Sequence, residues 1–220
     1  MASGKAILIS FEGIDGSGKT TASASFFHYL TEQGIQARLF REPGATELGE
    51  WVREKLLLQG EHFDPYAELF LYLAARAQLC KEKISSELYK TQVIILDRFL
   101  DSTLAYQGYG RGLSVPFIKK AHSLIVDSLR PDITFLLDVS ARTVREVWRK
   151  RSPDHFEKSI AFQNRVREGY LIIAEEEPER VKIIKRASIH ATLSHIIKVW
   201  ERYLDDSGND RTLFSGKRTP

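Results

Sequence analysis

The chain has 220 residues, 43% of them hydrophobic and 28% charged, a balance that excludes a largely disordered protein and fits one compact domain. A net charge of +3 is too small to argue for a nucleic-acid partner, and with Cys80 as the single cysteine neither a disulfide framework nor a cysteine-based zinc site can form. No stretch approaches the ~20 apolar residues of a membrane span, and the amino terminus carries no signal-peptide pattern, so a cytoplasmic protein without a membrane partner is expected.

Taken in order, Ala6 to Phe11 is a β-rich apolar run that opens into a glycine-rich loop and reads as a buried strand. A helix follows from Lys19 to about Gln33, closed by Gly34, and Ile35 to Phe40 reads as a second strand. Arg41 to Thr46 is a loop, because Pro43-Gly44 ends any strand. Helices are expected over 47–58 and 66–88, then an apolar strand, Val93 to Leu96, that ends in Asp97-Arg98. Ile118, Ala121 and Ile125 share one face of a helix over about 115–129. Thr134 to Leu137 is a further buried strand, followed by a basic helix over 142–150, a break at Ser152-Pro153, a helix over 158–176 and a short strand over 181–184. The last helix carries an apolar stripe of Ile189, Leu193, Ile196, Ile197, Trp200 and Leu204. Residues 1–204 are expected to form a single domain, with 205–220 a disordered tail.

Strands with almost no polar alternation, separated by helices, indicate a parallel sheet covered on both faces. Ligands of such sheets sit beyond the carboxyl ends of the strands, so the loops starting at Gly13, Arg41, Asp97 and Asp138 should share one edge.

The loop Gly13-Ile-Asp-Gly-Ser-Gly-Lys-Thr20 matches the phosphate-binding pattern G-x-x-x-x-G-K-[ST] in full, between a strand and a helix as that pattern requires. Its glycines let backbone N–H groups turn inward around phosphate oxygens at a helix N-terminus. Gly13, Ile14, Asp15, Gly16, Ser17, Gly18, Lys19, Thr20 and Thr21 are the expected ATP-binding set, Lys19 bridging the β- and γ-phosphates and Thr20 helping to hold Mg²⁺. The fold expected is a P-loop NTPase-type three-layer α/β/α architecture with a five-stranded parallel sheet and a short lid. Asp15 is unusual, because a carboxylate inside this loop would repel phosphate unless it turns away, toward solvent, its own turn or an acceptor's sugar hydroxyl.

Read in order with this loop, four blocks resemble bacterial thymidylate kinase: Arg41-Glu-Pro-Gly-Ala-Thr46, Tyr72-Leu-Ala-Ala-Arg76, Asp97-Arg98-Phe99 through Ala105-Tyr-Gln-Gly108, and Pro131-Asp132 leading to Leu137-Asp138. Arg165 to Tyr170 is similar to the helix after the lid in that family. The resemblance implies that Arg98, with Arg53, holds an acceptor phosphate and that Asp97 orients Mg²⁺ through water. It implies that Tyr72 stacks on thymine, that Arg76 bonds the base edge, and that Thr103, Tyr106, Gln107 and Tyr170 surround base and deoxyribose. Phe70 is the rival to Tyr72, and Asp97-Arg98 also reads as a plain ion pair at a strand end.

Arg142, Arg145, Arg149, Lys150 and Arg151 form a basic run ahead of Ser152-Pro153. The phosphate loop has no arginine, and in the resembled family that goes with a basic lid, here about 142–157. Arg149 and Arg151 are thus candidate catalytic cations alongside Lys19 and Arg98. Two departures stand out: Ala45 where the family has a second glycine, and His155 where it has arginine. The expected reaction transfers the γ-phosphoryl group of ATP to dTMP; another nucleoside-monophosphate or deoxynucleoside kinase, or a regulatory P-loop ATPase, is the alternative. A homodimer is expected from the resemblance alone.

Overall fold

The computed structural model describes residues 4–58, 63–126, 129–148 and 160–206. Strands β1 (Ile7–Glu12), β2 (Ala37–Arg41), β3 (Val93–Asp97), β4 (Ile133–Asp138) and β5 (Val181–Lys185) form one sheet in the order β2-β3-β1-β4-β5. Every pairing is parallel, with Phe11 opposite Asp97 on one side and Phe135 on the other. The connections leave β1 in both directions, which makes its carboxyl end the topological switch point where ligands enter such sheets.

The two faces of β1 differ in chemistry. Ile7, Ile9 and Phe11 point toward helices α1 (Lys19–Glu32) and α9 (Ile189–Asp206), where Phe26, Phe135 and Trp200 complete an aromatic core. Each such side chain, wholly buried, stabilises the fold by ~1.5–3 kcal/mol. Leu8, Ser10 and Glu12 take the opposite face by the two-residue period of a strand. Polarity rises along that face toward the switch point: Ser10 bonds Thr134 at 2.8 Å, and Arg180 clamps Asp101 through both carboxylate oxygens at 2.6 and 2.9 Å.

Several helices among the described residues start on side-chain caps. Thr46 Oγ1 accepts from Gly49 N ahead of α2 (Glu47–Arg53), and Asp64 accepts from Tyr66 N ahead of α3 (Pro65–Leu79), with Pro65 in its first turn. Ser114 caps α6 (Val115–Ile125) in the same way. A wider helical turn over Glu54–Leu58 continues α2, and another over Cys80–Ile84 joins α3 to α4 (Ser85–Glu87). Cys80 is buried there, and that burial pushes its thiol up to about 12, which suits a packing residue.

Helix α5 (Leu100–Thr103), with its widened continuation Leu104–Gly110, has no counterpart in the sequence reading. Almost every residue of it is buried, polar Asp101, Thr103 and Gln107 included, so it presents no amphipathic stripe. It packs chiefly on α8 (Ile160–Glu176), the helix after α7 (Ala141–Trp148).

Ala45 adopts φ +63°, in the left-handed region that favours glycine. Its N–H is tied to Glu50 Oε1 at 2.9 Å, so the loop keeps its course despite the methyl group. Ala45→Gly is therefore expected to stabilise the protein by ~0.5–1 kcal/mol in urea unfolding, strain relief outweighing the added chain entropy.

Candidate active site

At the end of β1, Gly13 has φ +143°, and a Cβ there would lie 2.7 Å from the Leu137 carbonyl of β4. Helix α1 starts after Gly18 (φ +96°) with no side chain capping its first turn, so its N–H groups face the loop for an anion to take. Lys19 is buried, its Nζ 3.4 Å from the Ile14 carbonyl and 3.5 Å from the Asp15 carboxylate. Burial and then Arg98 lower its pKa, while Asp15, Asp97 and Glu12 oppose the shift.

Beside Lys19, the exposed Thr20 donates its hydroxyl to Asp97 Oδ2 at 2.6 Å, and Asp97 Oδ1 is buried without a partner among the described residues. A hydroxyl and a carboxylate with a spare buried oxygen suit a hard divalent cation. No group of three or more His, Cys, Asp or Glu side chains that could hold a metal ion is found among the described residues.

Across the loop lies a cavity of about 60 Å³, lined by Asp15, Tyr72, Arg76, Arg98, Tyr106 and Gln107 among others. Arg98 joins the two. Its Nη2 pairs with Asp15, its Nη1 donates to Ser102 Oγ at 3.0 Å, and its guanidinium lies over the Tyr106 ring at 5.0 Å. Asp15, its side chain 27% exposed, bridges Lys19 and Arg98. Burial pushes its carboxyl up, yet Arg98 and Lys19 outweigh this and hold it below its usual range.

Arg98 has φ +77°, a conformation that costs a non-glycine residue ~1–3 kcal/mol and collects at functional sites. Its surroundings impose it. Arg98 N donates to the Phe11 carbonyl at 3.1 Å, and the next N–H, of Phe99, donates to Glu12 Oε1 at 2.7 Å.

Tyr72 and Arg76, one helical turn apart on α3, both line the cavity, as do Thr103, Tyr106 and Gln107. Phe70 points elsewhere, 53% exposed and edge-on to Phe117, so of the two α3 aromatics Tyr72 is the one that lines the cavity, together with Tyr106. Arg76 is 2% exposed, bonded through Nε to Glu42 Oε2 at 2.8 Å and through Nη2 to Thr103 Oγ1 at 3.0 Å, while its Nη1 has no partner among the described residues. Burial raises the Glu42 carboxyl, with Arg76 opposing.

Two expected site residues lie off the cavity wall. Arg53 reaches the Pro43 carbonyl at 3.4 Å, and Tyr170 is buried beside Arg98 with its hydroxyl on Ser102 Oγ at 2.7 Å and Glu12 Oε2 at 3.2 Å. Tyr170 supports the arginine rather than covering the cavity. Arg149 and Arg151, with Lys150, Ser152-Pro153 and His155, lie outside the described residues, as does the side chain of Arg145. Arg142 is exposed. Sequence reasoning assigned no role to Glu12, Glu42 and Leu57; the last two line the cavity, and the first underlies Arg98. The one available signal for Glu12 was an acid closing an apolar strand run immediately before the glycine loop.

An anion-binding loop at the switch point of a parallel sheet, with a separate cation-floored cavity on its far side, makes this a P-loop kinase: one site per substrate, meeting at Arg98. Within that class the chain belongs to the thymidylate kinase family, whose model matches residues 11–196. It is 42% identical over 180 residues to a thymidylate kinase of Kosmotoga olearia, covering 81% of this chain and 86% of that protein. Against one of Desulfovibrio desulfuricans identity is 44% over 188 residues, or 81% and 87% of the two chains. The crystal structure of thymidylate kinase from Ehrlichia chaffeensis superposes with a TM-score of 0.75 at 37% identity, covering 90% of this chain and 99% of that one.

Proposed function

We propose that this enzyme transfers the γ-phosphoryl group of ATP to a phosphate oxygen of dTMP, giving dTDP and ADP. The observation that carries this reading is Arg98, held by Asp15 of the phosphate loop while it lines the neighbouring cavity. A guanidinium there takes an acceptor phosphate bidentately and in line with the donor. The P–O bond to the ADP leaving group breaks as the bond to the dTMP oxygen forms. That oxygen is ionised at neutral pH, so no strong base is called for.

Lys19 serves the β- and γ-phosphates, and Thr20 with Asp97 would hold Mg²⁺, which when bound neutralises phosphate charge. Arg53 adds charge near the acceptor phosphate, Tyr72 stacks on the base, and Arg76, Thr103 and Gln107 bond its edge. Tyr106 fills the space beside C2′ and disfavours a ribose hydroxyl. Arg149 and Arg151 are assigned to a lid over about 142–157 that supplies cations to the transferred group and excludes water.

A coupled assay of ADP release from ATP and Mg²⁺ tests the reading with dTMP, dUMP, UMP, dCMP and thymidine as acceptors. Strong stimulation by dTMP is expected. Turnover with thymidine alone would make the protein a nucleoside kinase, and turnover indifferent to every acceptor would make it an ATPase.

The enzyme works as a homodimer in this reading. Helices α2, α3 and α6 expose Trp51 (48%), Phe70 (53%) and Phe117 (40%), a concentration of aromatic surface that a second copy would bury. Sedimentation is expected to give twice the chain mass, and Phe70→Glu to shift the protein to monomer.

A further inference from the structure

Gln107 lines the acceptor cavity, and its partner on the protein side is Glu68 of α3. The Gln107 Nε2 donates to Glu68 Oε1 at 2.7 Å, while Arg111 Nη2 donates to Glu68 Oε2 at 2.9 Å. Glu68 is only 2% exposed and does not line the cavity. A carboxylate paired with a guanidinium offers acceptors and no donor, so it discriminates between the two flips of a neighbouring amide. Only the flip with Nε2 toward Glu68 avoids oxygen against oxygen. The Gln107 carbonyl Oε1 is thereby left for the cavity, and it accepts no hydrogen bond from the described residues.

We propose that Glu68 is a specificity-determining positioning residue: it locks the Gln107 amide so that Oε1 meets the base as a fixed acceptor. This rests on the reading of the cavity as a pyrimidine-monophosphate site. A fixed acceptor selects a pyrimidine whose ring N3 carries a hydrogen, as in thymine or uracil. Cytosine presents a lone pair at N3 and an amine at C4, so its N3 lone pair would oppose Oε1 without a proton between them. A free amide could turn over and donate to cytosine instead; the Glu68–Arg111 pair prevents that. Buried polar groups left unmatched are the strongest discriminators a pocket has.

The test is kinetic, with dTMP and dCMP as competing acceptors and four proteins: wild type, Glu68→Gln, Gln107→Ala and the double variant. Glutamine at 68 both donates and accepts, so it no longer dictates the flip. The ratio of kcat/KM for dTMP over dCMP is expected to fall about 10–100-fold in Glu68→Gln. In the Gln107→Ala background the same change at 68 should leave the ratio unaltered, because Glu68 acts only through that amide. An equal loss for both acceptors, or an effect that persists without Gln107, overturns the proposal in favour of a purely structural role.

A second measurement needs no variant at 68. N3-methyl dTMP lacks the ring donor and is expected to bind wild type at least about tenfold more weakly than dTMP; equal binding overturns the assigned direction of the amide. Failure of wild type to use any pyrimidine monophosphate would sink the functional reading itself, and that arm is read separately.

Discussion

Replacing Arg98 by alanine is expected to lower kcat/KM for dTMP about 10²–10³-fold, with a higher KM for dTMP and lower turnover, while ATP binding changes little. The structure gives Arg98 two functions that the substitution removes together. It presents a guanidinium to the acceptor cavity from the end of β3, and it neutralises Asp15, which otherwise points a carboxylate at an incoming phosphate. ATP binding survives because Lys19 and the uncapped start of α1 do not depend on Arg98 for their position; Lys19 keeps its own contact with Asp15 at 3.5 Å. Arg98→Lys should recover part of the loss, since it returns the charge without the bidentate fork or the stack on Tyr106. Steady-state kinetics with each substrate varied in turn, together with nucleotide titrations, separates these effects. Loss of ATP binding with an unchanged KM for dTMP would remove Arg98 from the acceptor site.

Both consequences trace to a backbone feature that no pattern in the sequence announces. Asp97-Arg98 at the end of an apolar run marks the pair as important, but not that Arg98 sits at φ +77° with its side chain turned toward Asp15. That geometry depends on Glu12, Ser102 and Tyr170, which are separated by up to 158 positions in the chain and meet only in the folded protein.

What the sequence made legible was local. The strands appear as apolar runs, the phosphate loop as a spaced motif, and the Tyr72–Arg76 pair as one helical turn. Helix α5 was illegible for a physical reason: a segment enclosed on all sides, with polar residues turned into a site, has no dry and wet faces to read. The positive φ of Ala45 was equally hidden, since alanine at that position signals an ordinary backbone. The choice between Tyr72 and Phe70 needed tertiary contacts, because both residues lie on the same helix and only packing against Phe117 assigns Phe70 to the outer face.

Glu12 supports the second large prediction. It is fully buried at the carboxyl end of β1, accepting from Phe99 N, Ser102 Oγ and Tyr170 OH. Burial, reinforced by the nearby Asp101 carboxylate, raises its pKa from 4.5 to about 8, against smaller opposing contributions from Ser102, Arg98 and the Phe99 N–H. In the unfolded chain this carboxyl ionises near 4.5, whereas in the folded protein it keeps its proton until about pH 8. The folded state therefore binds the extra proton between those values. The contribution of Glu12 to stability is complete below pH 4.5 and declines as pH rises through about 8. A shift of this size corresponds to a loss on the order of a few kcal/mol across the window.

Glu12→Gln keeps the shape and removes the titration. Urea unfolding of both proteins from pH 5 to 9 is expected to show the variant gaining stability relative to wild type as pH rises, most at the alkaline end. A difference between the two that stays flat with pH would mean that Glu12 is ionised throughout, with Arg98 as its counter-charge. The same comparison bears on activity. If the neutral form is what holds the Phe99 turn and therefore Arg98, the variant should retain its KM for dTMP at pH 9, where wild type must accommodate a second buried carboxylate beside Asp101.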